Sequence, residues 1–212
     1  MSSILKIEII SDTVCPWCYV GKRRIESALL ECPEITAEIT WRPFQLNPLM
    51  PPEGMDYGDY YRRKFGDEDR IAKIRSAMVE AGEEEGLDFK FEKIKRAPNT
   101  LASHRLIRWA GAAGVQDAAV ETLFRTYFME GQDIGETDVL IHIAGEAGMD
   151  AELVSELYRE GRDVELVAEE IRTAQDSGVT GVPFFILNEE MGIPGAQEAG
   201  YFKKLFTGLM AS

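Results

Sequence analysis

The sequence predicts an α/β protein in which a small sheet domain is interrupted by a long helical insertion. Three observations lead there: residues 4–44 read strand, helix, strand; residues 181–209 read strand, turn, helix; and most of the stretch between them carries helical spacing. Neither end has enough strands to bury a sheet face alone, so the two ends must pair. The division expected is a sheet domain made of residues 1–46 and 177–212, with residues 47–176 as the insertion.

The elements follow in order. "ILKIEII", residues 4–10, clusters β-branched residues as a buried strand does. From Cys15 to about Glu31 the spacing turns helical, with Cys18, Ile25 and Leu29 on one face and Lys22, Arg23 and Glu26 outside it. "TAEITWRPF", residues 36–44, is strand again, and a strand, helix and strand over about 40 residues has the length of a parallel βαβ unit. "PLMPPEGMDYGDYYRRKFG" is a proline-rich lead-in to helix; Tyr57, Tyr60 and Tyr61 there read as packing, with a substrate groove as the lesser alternative. Helices are expected near 69–86, 100–113, 116–130, 137–147 and 150–176, the last broken at Gly161, with Asn99, Thr137 and Asp150 as caps. "GVPFFILN", residues 181–188, is strand, "MGIPGA" a short strand or turn, and a last helix runs from about Gln197 to Leu209. No internal repeat or low-complexity segment is present.

Composition narrows the function. With 212 residues, 45% hydrophobic and 28% charged, the chain has the make-up of an ordinary globule. No apolar run approaches the roughly 18 residues that cross a bilayer. The first residues break their apolar stretch with Lys6 and Glu8 and offer no small-residue cleavage site, so they read as a strand and not a secretion signal, and a cytoplasmic location is expected. A net charge of −14 repels phosphate backbones and anionic lipid heads, which argues against nucleic-acid and membrane partners. Three cysteines are too few for a disulfide scaffold. Cys32, just before Pro33, reads as structural.

Cys15 and Cys18, in "SDTVCPWCYVGKRR", therefore need another explanation. Pro16 suits the first position of a helix, which makes Cys15 the N-cap. Its sulfur then faces free backbone N–H groups and the positive end of the helix dipole, both of which favour thiolate. Cys15 is the expected nucleophile; Cys18, one turn on and on the apolar face, resolves the mixed disulfide. A zinc site would need about four ligands, and beyond this pair the chain has only Cys32, His104 and His142, at no suitable spacing, so no metal is expected. Inert packing as buried thiols is the bland alternative. Asp12 either relays a proton for Cys18 or caps the turn.

"CPWCYVG", "PNTLASHRLIRWA" and "SGVTGVPFF" followed by "GAQ" together resemble the FrnE-like branch of the DsbA family of thiol-disulfide oxidoreductases, related to 2-hydroxychromene-2-carboxylate isomerase and kappa-class glutathione transferase. The likeness covers nearly the whole chain, although Ile10 departs from the pattern ahead of Ser11 and Asp12. It implies a thioredoxin-like fold with a helical insertion, and a cis Pro183 packed beside the cysteines. A cis turn there leaves the backbone of Val182 open to a substrate strand, so Pro16, Trp17, Val182 and Pro183 are candidate substrate contacts. The strongest oxidants of the family carry histidine where Trp17 stands; an uncharged indole implies a pair of middling potential, suited to reduction or reshuffling. In glutathione-using relatives the region of His104 borders the cleft, so His104, Arg105 or Arg108 could meet a ligand carboxylate, or serve as core and surface residues instead. "GAQ", residues 195–197, could aim helix N–H groups at that ligand, although Pro194 replaces a common serine. The expectation is a disulfide reductase or isomerase acting on a thiol or disulfide partner, with no required cofactor and glutathione as a possible redox partner. The rivals are a glutathione-dependent isomerase of an aromatic or polyketide metabolite, whose relatives typically carry serine at Cys15, and a non-enzymatic chaperone or binding module.

Overall fold

A computed structural model describes residues 4–210. Strand β1 (Ile4–Ser11) leads into helix α1 (Pro16–Leu30) and strand β2 (Thr36–Pro43). Strands β3 (Met55–Asp56) and β4 (Arg96–Ala97) flank helices α2 (Tyr57–Phe65) and α3 (Glu68–Glu84) and a single 3-10 turn at Phe91–Lys93. Helices α4 (Leu101–Ala112), α5 (Gln116–Phe128), α6 (Thr137–Glu146), α7 (Ala151–Arg159) and α8 (Val164–Asp176) come next. Strands β5 (Phe184–Leu187) and β6 (Met191–Pro194) and helix α9 (Ala199–Met210) complete the described chain.

The two ends pair in one four-stranded sheet of order β2-β1-β5-β6, parallel between β1 and β2 and antiparallel elsewhere. Its register sets Ile9 opposite both Trp41 and Phe185, and Phe185 opposite Ile193. Because side chains alternate along a strand, Leu5, Ile7 and Ile9 share the face that forms the main core with Trp41, Phe185 and Ile193, covered by Phe202 and Phe206 of α9. Ile10 points the other way, into a smaller cluster with Phe44, Val179 and Ala174 of α8. The C-terminal end of β1 is thus covered on both faces, and the chain leaves it for the cysteine pair from a rigid base.

Several local expectations change. The stretch between β2 and β5 is not purely helical: β3 and β4 form a short antiparallel ladder. Two-residue strands carry no period to detect, and this ladder depends on Gly54, at φ +69°, where an added Cβ would stand 2.6 Å from the Ala97 oxygen. Glu136, not Thr137, is the N-cap of α6. Thr100 takes the N-cap position of α4, while the Asn99 side chain accepts from the Leu101 N–H at 3.0 Å. Asp150 caps α7 through the Glu152 and Leu153 N–H groups. The chain turns at Gly161, φ +65°, between α7 and α8.

Lys22 departs most. The spacing set it outside the apolar face of α1, yet its side chain is only 3% exposed. Helix α5 of the insertion lies over that side of α1, and Lys22 Nζ meets Glu26, Asp117 Oδ2 at 3.1 Å and Glu121 Oε2 at 3.2 Å. Burial pulls the Lys22 pKa down, but Asp117, Glu26 and Glu121 outweigh it and the net shift is upward. Neighbouring Arg24, also buried, reaches Glu85 at 2.8 Å, Glu198 at 2.8 Å and the Ala196 carbonyl at 2.9 Å, tying α1 to the end of α3 and the start of α9. A helix that looked half solvated is gripped on its polar side by three other segments.

Candidate active site

Cys15 is the N-cap of α1, in extended conformation, with Pro16 at the first helical position. Its own N–H donates to the Asp12 carbonyl at 3.0 Å, closing the turn out of β1, and its carbonyl accepts from the Cys18 N–H at 3.0 Å. The sulfur therefore stands at the open amino end of the helix, and it donates to the Val182 carbonyl at 3.5 Å. The Val182–Pro183 bond is cis. Gly21 allows this approach, because a Cβ there would sit 3.1 Å from Pro183 Cγ and 3.1 Å from Phe185 Cζ. Sequence positions 15 and 182 meet because α1 packs on β5 without an intervening side chain.

Cys18 is fully buried in the main core, whereas Cys15 lies at its margin. Burial first, then its contact with Cys15, push the Cys18 thiol well up, while the Ser11 side chain and the Asp12 backbone at its sulfur partly offset them. Trp17 is half-buried beside the pair. The two thiols are close and unbonded. Cys32, buried as well, sits in the turn after α1.

The insertion supplies a wall to this site. Tyr60, half-buried on α2, is pushed up to about 12 by burial and by the nearby charges of Asp12 and Cys15. Lys64, one turn on, is lowered by burial, with Cys15 and Asp12 acting the opposite way. Its ammonium donates to the Tyr60 hydroxyl at 2.9 Å and has no carboxylate partner among the described residues. Tyr57 and Tyr61 pack against each other with ring centroids 4.5 Å apart and planes tilted by 45°, beneath the Arg75 guanidinium. Packing describes Tyr57 and Tyr61, which are buried, whereas Tyr60 is only half-buried. Lys64 was not singled out from the sequence, where "RRK" on a charged helix gives no sign of direction.

The other candidates sit elsewhere. His104 is buried behind the site, its Nε2 2.9 Å from the Phe44 carbonyl and 3.5 Å from Asp12 Oδ1. Arg105 lies between the rings of Trp109 and Tyr158 and donates to the Arg162 and Leu157 carbonyls at the end of α7. Arg108 pairs with Glu170 of α8. Both arginines thus serve packing between helices. The Gly195–Gln197 triplet forms a turn ahead of α9, with the Gln197 side chain donating to the Pro194 carbonyl at 2.7 Å. Asp12 is buried; its Oδ2 accepts from the Leu46 N–H at 2.8 Å, in the loop after β2 and not in its own turn, which its backbone carbonyl closes, and its Oδ1 has no hydrogen-bond partner.

Residues 6–206 match the DSBA-like thioredoxin domain family. The chain belongs to that family. The uncharacterized protein YwbO of Bacillus subtilis is 28% identical over 200 residues, covering 93% of this chain and 94% of its own length. The crystal structure of a probable DsbA oxidoreductase from Streptomyces coelicolor is 29% identical, with a TM-score of 0.88 over 98% of this chain and 91% of that one. The cytosolic disulfide reductase DsbM of Pseudomonas aeruginosa, solved with GSH, shares the fold at a TM-score of 0.66 and 17% identity, over 97% of this chain and 99% of its own. The DSBA-like family agrees with the resemblance read from the cysteine, "PNT" and "GVPFF" segments. No described helix is long and apolar enough to cross a membrane.

Proposed function

We propose that this member of the DSBA-like family is a thiol-disulfide oxidoreductase that uses Cys15 and Cys18 as its dithiol. One observation carries the reading: Cys15 occupies the N-cap position of a helix and its Sγ lies 3.5 Å from the Val182 carbonyl, one helical turn from a fully buried second thiol. The Cys15 sulfur attacks a disulfide, forming one S–S bond and expelling the first half of the partner as thiolate. Cys18 then attacks Cys15, releases the second half, and leaves a Cys15–Cys18 disulfide; the partner has gained two electrons and the protein has lost them. Run backwards, the same steps oxidise a dithiol. An extended segment of the partner would take over the Val182 carbonyl from the Cys15 thiol and align its own sulfur.

Trp17 between the cysteines favours the reducing direction, and the glutathione held by DsbM makes a small thiol a reasonable reductant in a cytosolic setting. Reduction of insulin or refolding of a scrambled substrate tests the reading, with Cys15→Ser as control. Wild-type turnover well above the control is expected; equal rates defeat it. An isomerase rate that needs glutathione and survives loss of both thiols would put the rival enzyme in its place.

A further inference from the structure

Beside the dithiol lies a groove whose charge runs against that of the chain. It has a volume of about 410 Å³, and its walls are the loop after β2 and one side of α2. Leu46, Leu49, Pro51 and Met55 make its apolar part, with Leu49 left 89% exposed. Arg63 and Lys64 add two cations, and no acidic residue lines the groove, in a chain with 37 acidic and 23 basic side chains. Arg62, next door, pairs with Asp59 and Glu68. Among the described residues the Arg63 guanidinium has neither ion pair nor hydrogen bond, and the Lys64 ammonium has only the Tyr60 hydroxyl at 2.9 Å.

The groove adjoins the dithiol turn on two sides. Asn47 and Tyr60 line both it and the small cavity formed by Asp12 and Val14, just ahead of Cys15. Leu46 packs on the cluster of Ile10, Phe44 and Val179, and so does Val182, whose carbonyl meets Cys15 Sγ. Burial lowers the Lys64 pKa and Cys15 pulls it back, so the ammonium lies within electrostatic reach of the reacting sulfur. An extended chain that meets Val182 and Cys15 has the groove next along its path. Apolar walls carrying unpaired cations complement a carboxylate beside an apolar side chain. The net charge of −14 repels such a segment elsewhere on the surface, so the two cations also fix where it lands.

We propose that this groove selects the partner by charge: it takes an acidic, extended segment of a protein disulfide, with Asp or Glu beside an apolar residue close to the cysteine under attack. This rests on the oxidoreductase reading above and names its substrate class. The apolar side chain covers Leu49 and Met55, and the carboxylates pair with Arg63 and Lys64. A peptide is favoured over a small thiol because the site joins a backbone acceptor, the Val182 carbonyl, to a groove wide enough for several side chains. Arg63 and Lys64 act on the bound segment; the sulfur exchange itself proceeds as described.

The experiment measures single-turnover reduction of three peptide disulfides by the reduced protein. Each peptide is joined through its one cysteine to 2-mercaptoethanol, and the three differ only at two positions beside a leucine, which are Glu, Gln or Lys. Acid quenching and chromatography follow the freed peptide thiol. The Glu peptide is expected to react about tenfold faster than the Lys peptide, with Gln between them, and high salt should shrink the ratio toward one. In the double variant Arg63→Gln, Lys64→Gln the ratio should fall to about two or less; taking a ratio cancels any change in Cys15 reactivity that the peptides share. Leu49→Ser should slow all three about threefold. The assignment is overturned by equal rates for the three peptides, by a ratio that the double variant leaves intact, or by a Leu49→Ser protein that loses nothing. A double variant that slows glutathione disulfide but keeps the peptide ratio gives the groove to a small anionic thiol and overturns it as well. If the wild type reduces no peptide faster than Cys15→Ser does, the oxidoreductase reading itself falls, and the groove assignment with it.

Discussion

At the scale of single residues, the site is two sulfurs in different surroundings. Cys15 stands at the N-cap with the Val182 carbonyl beside its sulfur, and Cys18 is buried in the core with the Ser11 side chain and the Asp12 backbone at its sulfur. Trp17 contributes an apolar surface and no charge. Placing an imidazolium there adds a positive field beside the sulfur, so Trp17→His is expected to raise the reduction potential of the pair by about 30 mV or more, measured against a glutathione redox buffer. A potential that stays put would show that the intervening residue does not tune this pair. Lys64 is the positive charge on the insertion that senses Cys15. Replacing it with methionine removes about 1 kcal/mol of attraction at an effective dielectric suited to a surface, and Cys15 alkylation by iodoacetamide should slow about fivefold. An unchanged alkylation rate would assign Lys64 to solvation of α2 alone.

At the scale of elements, α1 does most of the positioning. Gly21 brings it against Pro183 and Phe185, and Arg24 fixes its other side to α3 and α9. A Cβ at Gly21 already sits closer than most real contacts, and the extra methyls of valine would push α1 off β5. Gly21→Val is expected to cost about 2 kcal/mol in urea unfolding and to slow disulfide exchange by separating Cys15 from Val182. A loss of stability with full activity would show that the helix can retreat without carrying the sulfur away. The insertion also closes one sheet edge. Gln116 of α5 accepts from the Trp41 N–H at 2.9 Å and donates to the Trp41 carbonyl at 3.3 Å, occupying the outer edge of β2 as a short strand would.

At the scale of the whole molecule, an acidic chain holds α5 to α1 partly through charges. Glu121 accepts from Tyr19 at 2.6 Å and pairs with Lys22 and Arg23. Burial raises its carboxyl, but Tyr19, Lys22 and Arg23 outweigh this and the net shift is downward from the ordinary 4.5. A depressed folded-state value means stability that is fully present above the unfolded value and is lost as the pH falls through the folded one. The urea midpoint should therefore drop on acidification through the carboxylate range, and Glu121→Gln should make that drop shallower. Parallel curves for the two proteins would remove Glu121 from the acid sensitivity.

The sheet, the order of the helices and the cysteine pair at a helix start were legible because each rests on neighbours in sequence. Alternation in "ILKIEII", proline after Cys15 and Asp150 before α7 act over a few residues, where capping and side-chain period are strong. By itself the sequence determined that the two ends share a sheet and that Cys15 opens a helix. Only the tertiary structure decided that Lys22 is buried, that Lys64 and Tyr60 face Cys15, and that His104 stands behind Asp12. Those placements depend on which helix of the insertion lies against α1 and β1, and packing between segments tens of residues apart leaves no local period to read.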